Sequence, residues 1–141
     1  MLNLFRKVAD IFCRPTSPAS LVRRFDGVKE SMFEQFFDAA AVAGTPRGLR
    51  WVRCDWLPER ALLKDKATGQ FNLLVGVNIS FAAIEGGDME NVAAVSMIRD
   101  ACAVFQWNDG AWQTSGKALF NMSPADATPR LGSSYELVPL S

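Results

Sequence analysis

The residues that usually carry chemistry are scarce in this chain. Its 141 residues include no histidine, which removes Ser–His and Cys–His nucleophile activation, imidazole metal ligation and the usual proton shuttle near pH 7. Cys13, Cys54 and Cys102 lie far apart and form no CxxC pair. They read as buried thiols in a reducing compartment, not as a disulfide framework or a zinc site. Glu85, Asp88 and Glu90 surround Gly86-Gly87 and could offer oxygens to a hard cation. Their spacing is not that of an EF-hand, and the stretch reads as a solvated turn. Neither GxGxxG nor a Walker pattern occurs, so no cofactor and no metal are expected. What remains is Arg99 as an anchor for an anionic group, Asp100 or Asp55 as an acid or base, and Trp51 as an aromatic wall.

The elements that must position these residues are organised around Phe71–Ile84. Phe71, Leu73, Val75, Val77, Ile79, Phe81 and Ala83 alternate with a mixed set, the period-two signature of a strand with one apolar face. Such a strand would span roughly 44 Å. Upstream, Ser17-Pro18 is an N-cap and first-turn pair. From there Leu21, Phe25, Val28, Met32, Phe36, Ala39 and Ala43 recur at steps of three and four, predicting one long helix that ends at Gly44. Gly27 is a point at which it could kink. The helix matches the long strand in length and is expected to lie along it.

Further strands are predicted over 47–57, ended by Pro58, over 61–65, 92–107 and 112–122. A bulge near Trp51 would reconcile the two phases of the first. Ala67-Thr68-Gly69 and Asn108-Asp109-Gly110 read as hairpin turns, with Trp107 and Trp112 as a cross-strand pair. Ser123-Pro124-Ala125-Asp126 opens a helical turn, and the tail from Gly132 is an edge segment or disordered. Residues 2–13 form a separate amphipathic helix, so the expected organisation is 1–14 as that helix and 17–141 as one α+β domain. The fold class is a long N-terminal helix on a curved antiparallel meander of four to five strands.

Closing the two long hairpins at their loops pairs Phe71 with Phe105, Val75 with Ala101, Val77 with Arg99, and Arg99 with Phe120. One face is then apolar in all three strands, with a shallow trough at Ala101, Ala103, Gly116 and Ala118 for the helix. Arg99 breaks that face. It is either paired with Glu30, Glu34 or Asp38 of the helix, or lines a pocket between helix and sheet, or the register slips by one and Asp100 faces inward. The outer sheet face carries Leu74, Ile98, Cys102, Val104 and Leu119, enough to require a homodimer interface or cover by the N-terminal helix.

Lys plus Arg and Asp plus Glu number 15 each, which gives no electrostatic basis for nucleic acid or anionic membrane as a partner. No run approaches the ~18 apolar residues of a membrane span, and the expected location is cytoplasmic. The order and length of the elements resemble the cystatin-like and NTF2-like folds. The QxVxG loop of the cystatin inhibitors is absent, and NTF2-like enzymes typically place His, Asp or Tyr in their cone, whereas Tyr135 is the single tyrosine here. GTPRGLRW (44–51), VGVNISFAAIEGGDMENV (75–92) and AVFQWNDGAWQTSGKALFNMSP (103–124) resemble small bacterial proteins of planctomycete type, a likeness that implies no particular activity. The expectation is a non-catalytic module that binds a partner or dimerises through the outer sheet face or the N-terminal helix. The alternative is a small-molecule-binding or enzymatic NTF2-like domain anchored by Arg99.

Overall fold

The computed structural model describes residues 17–44, 48–83, 86 and 98–139. The helix predicted over 2–13, the carboxylates Glu85, Asp88 and Glu90, and the start of the strand predicted from 92 lie outside the described residues. One 27-residue helix, α1 (Pro18–Gly44), is followed by β1 (Leu49–Asp65), β2 (Phe71–Ala83), β3 (Arg99–Asn108), β4 (Ala111–Gln113), β5 (Ala118–Phe120), α2 (Pro124–Arg130) and β6 (Tyr135–Val138). The strands form one antiparallel sheet in the order β4-β3-β2-β1-β6, with β5 also on β3. The fold is α+β, a long helix on an antiparallel sheet.

Local chemistry explains the elements. Ser17 Oγ accepts the Ser20 amide at 3.1 Å and caps α1. The helix runs unbroken through Gly27, because its apolar stripe is held by the sheet on both sides of that residue. Leu21, Phe25, Met32, Phe36 and Ala40 bury that stripe against Leu62, Leu73, Val75, Val77, Ile79, Ala101, Ala103 and Phe105. The layer is filled by rings. Phe25 meets Phe105 at 4.9 Å and Trp112 at 5.6 Å, and Phe33 stacks on Trp56 at 3.9 Å. Two polar ties fix the helix: Trp112 Nε1 donates to the Leu21 carbonyl at 3.0 Å, and Arg60 grips Asp26 with two hydrogen bonds of 2.7 and 3.2 Å.

The strands correct the expected registers without changing which face is buried. β2 pairs β3 with Leu73 opposite Phe105, Val75 opposite Ala103, Val77 opposite Ala101 and Ile79 opposite Arg99. This is two residues from the predicted pairing. A shift of two preserves the face of every side chain, so the apolar pattern cannot tell the two registers apart. The last predicted strand divides into β4 and β5. Trp107 faces Trp112 as expected, with ring centroids 5.4 Å apart. Beyond it the chain bulges, so that Ala101 faces Phe120 and Ala103 faces Ala118. The bulge brings Gly116, at φ +83°, against the backbone of Ala39 and Ala40. The trough therefore receives the helix at Gly116, where no side chain fits.

Pro58 does not end β1. The strand is continuous, with one extra residue at Val52 and a second irregularity between Trp56 and Arg60. The first places Trp51 and Cys54 on the same core face, as the expected bulge requires. The second accommodates Pro58, which cannot donate to a ladder and is tolerated at such a position. The outer face is covered over Leu63, Leu74, Cys102 and Val104 by Ala127 of α2, with Leu131 and Tyr135 packed alongside. The turn expected at Ser123 is this helix, with a reciprocal Ser123–Asp126 capping box. Ile98 remains 58% exposed. Among the described residues no helix is long and apolar enough to cross a membrane.

Candidate functional site

A cavity of about 650 Å³ lies on the sheet face away from α1. Three irregularities make it. The extra residues of β1 carry Leu57 and Glu59 over Gly76 of β2, where a Cβ would stand 3.4 Å from Leu57 Cβ and 3.5 Å from the Glu59 carbonyl. Asn121 adopts φ 62° and donates its amide to the Asp100 carbonyl at 2.7 Å, turning the chain away from β5. The capped start of α2 then sets Ser123 and Asp126 at the rim. The walls are polar: Asn78, Asp100, Glu59, Asp126 and Arg99 all line the space. The Asn78 Oδ1 is buried and has no hydrogen-bond partner.

Of the four residues singled out from sequence, the structure brings two together. Arg99, half-buried at the start of β3, and Asp100 line this cavity. The space they line is on the sheet face away from α1, and aromatic rings fill the helix–sheet layer. Asp55 is exposed on β1, its carboxylate 3.1 Å from Arg53 Nε. Trp51 packs on the α1 side, edge-on to Phe81 at 5.1 Å and to Phe36 at 5.9 Å. Asn78, Glu59 and Asp126 were missed. The signal for Asn78 was its polar type in a long apolar strand; Glu59 and Asp126 had none.

Two smaller features flank the helix. A groove of about 620 Å³ runs along α1 beside the β3–β4 hairpin, with Val28 and Met32 facing Trp107 and Trp112; the Arg24 guanidinium sits 5.9 Å from the Trp107 ring. A cleft of about 260 Å³ is walled by Trp51, Phe81 and Phe120 at the end of α1.

The thiols are not poised to react. Burial, and then the charge of Asp55, pushes Cys54 up to about 12 from an ordinary 9.0. Burial, and then Asp126, pushes Cys102 up to about 11. Both are protonated at neutral pH, and thiolate is the nucleophilic form. Both cysteines are free. Among the described residues no group of three or more Cys, Asp or Glu is placed to hold a metal ion.

A different kind of site lies along β1. It pairs β2 along its length on one side, from Leu49 to Lys64. On the other side β6 pairs only Leu62–Asp65. Among the described residues, 49–61 therefore carry no second strand and leave alternate amides and carbonyls facing outward.

Comparison of the chain with family models, curated proteins and solved structures finds no match.

Proposed function

We propose that this chain is a non-catalytic association module of the cystatin/NTF2-like kind that self-associates through its sheet. The observation that carries the reading is that, among the described residues, β1 has no second neighbouring strand over 49–61. A long strand with one neighbour is a template for another strand. The remaining observations agree with it. The thiols are held protonated by burial, and the helix–sheet layer is filled with rings rather than open to substrate. Free cysteines suit a reducing compartment such as the cytoplasm. Sedimentation equilibrium of the full chain tests the reading: the expected mass is twice 15.5 kDa, and a monomer at high concentration and low salt refutes it.

A second reading is favoured by one atom, the buried Asn78 Oδ1 without a partner. A small ligand bearing an N–H donor would satisfy it. Arg99 and the carboxylates around the cavity would then suit a zwitterion with separated charges, such as a free amino acid. The check is a thermal melt with a panel of amino acids. A rise in melting temperature that is lost in Asn78→Leu supports the reading; an unchanged melt across the panel removes it.

A further inference from the structure

The self-association reading can be sharpened to a register, and the register rests on that reading. The open length of β1 is divided by its two irregularities, one at Val52 and one between Trp56 and Arg60. Between them Arg53–Trp56 runs in unbroken register with Ser80–Val77. A bulge disrupts the ladder and a proline cannot donate to one, so this regular stretch is where another strand can pair. Among the described residues, the backbone hydrogen bonds made outside the regular elements include none from 50–60.

Natural sheet edges are guarded by charges that repel a second strand. The charges here are arranged differently. Arg53 and Asp55 flank Cys54 on one face of β1, joined at 3.1 Å, and are 64% and 48% exposed. We infer that a second copy of this chain pairs antiparallel with this edge, with the two-fold axis at Cys54. In that register Arg53 of each copy stands directly opposite Asp55 of the other. Opposite charges across an antiparallel pair attract, and like charges repel. Neighbouring two-fold registers fail on the same ground. An axis at Asp55 sets Asp55 against Asp55. An axis at Arg53 sets Arg53 against Arg53. An axis midway between Cys54 and Asp55 puts Arg53 opposite Trp56 and Asp55 opposite Cys54, so neither charge meets its complement.

The favoured register also fits the available length. Within the regular stretch it pairs Arg53–Asp55 of each copy, well short of the residues that β6 occupies from Leu62 onward. The two internal Arg53–Asp55 pairs survive, so the four charges alternate in sign around the axis. The chain carries 15 basic and 15 acidic residues, so no net charge opposes two copies meeting.

The experiment is a charge exchange on the full chain. Arg53→Asp leaves two acids on the edge, and Asp55→Arg leaves two bases. Both side chains are exposed, and far-UV circular dichroism with a thermal melt checks that each variant folds. Wild type is expected to sediment as a dimer at low salt. Each variant alone replaces two attractive pairs with two repulsive ones and should self-associate about 30-fold more weakly. Their equimolar mixture restores attraction at both positions. It should form a heterodimer, identified by its intermediate mass in native mass spectrometry, within about threefold of wild-type affinity. A wild-type dimer with variants that dimerise equally well overturns the register and leaves the module reading standing. A wild-type dimer whose variants are monomeric and fail to recover on mixing also overturns it. A monomeric wild type overturns both, and the edge charges are then guards.

Discussion

Replacing Gly116 with alanine should be the most damaging small substitution in the sheet. Two costs combine at this position. Its φ of +83° belongs to the left-handed region, where a side chain costs about 1–2 kcal/mol. In addition, a Cβ would stand 2.6 Å from the Ala40 amide nitrogen and 2.9 Å from both the Ala39 carbonyl carbon and its Cβ. These contacts are closer than any real Cβ makes, and the first two neighbours are helix backbone, which cannot rotate away. Forcing α1 off the sheet is an overpacking event of about 1–3 kcal/mol. The sum is a loss of about 2–5 kcal/mol, a large share of a domain's ~5–15 kcal/mol. Gly110→Ala is the control. Gly110 has φ +78° but no atom within 4 Å of the added methyl, so it should lose only the backbone cost of about 1–2 kcal/mol. Gly27→Ala completes the set: it lies in α1 with nothing within 4 Å, and should gain about 0.5–1 kcal/mol. Urea unfolding at constant m-value measures all three. If Gly116→Ala costs no more than Gly110→Ala, the close approach of helix to bulge is not a fixed feature of the fold, and the explanation given for the β4–β5 break fails.

Three further outcomes are expected. Trp112→Phe removes the buried donor to the Leu21 carbonyl and should cost about 1–2 kcal/mol in the same assay, with Trp107→Phe costing less. Asp26→Asn weakens a two-bonded pair whose side chains are 29% and 40% exposed; the loss should stay at or below about 1 kcal/mol and shrink in high salt. Stability should fall with rising alkalinity, because Cys54 and Cys102 have folded values of about 12 and about 11 against an ordinary 9.0. Below pH 9 both states hold the proton and nothing is lost. Between pH 9 and 11 the unfolded chain sheds protons that the folded chain keeps, so unfolding is favoured. The slope is at most about 1.4 kcal/mol per pH unit per thiol, and smaller where solvent still screens the group. Melting curves of Cys102→Ala between pH 8 and 10.5 should be flatter than wild type, and equal slopes would refute the assignment.

The faces of the sheet were readable from the chain because period two is a local property. Leu73, Val75, Val77 and Ile79 sit on the core side in any register of the right parity. The register itself was not, since a two-residue slip changes no face. Pro58 misled for a related reason: a proline normally closes a strand, and only the partner strand reveals that β1 carries extra residues there. The ties that fix the helix join residues 34 and 91 positions apart, Asp26 to Arg60 and Leu21 to Trp112, and no local pattern encodes them. The cavity beside α2 was half readable. Arg99 and Asp100 were conspicuous as charges in an apolar strand, but the space they line is made by Leu57, Gly76 and Asn121, whose backbone geometry the sequence does not display.

The charges of β1 show most plainly how position decides meaning. Arg53 and Asp55 beside Cys54 look like ordinary surface residues on the inspection of any single strand. In a central strand of this sheet their outer face would be covered, as that of Leu74 and Cys102 is, and the pair would be a cost to desolvate. On a strand whose second neighbour, among the described residues, is only the four-residue β6, the same two charges become directional. Their alternation is antisymmetric about Cys54, so a copy rotated by two-fold symmetry presents each charge with its opposite. A guard needs only charge, whereas a self-complementary pair needs charge in this order. Exchanging the two signs one at a time, and then together by mixing, separates those meanings.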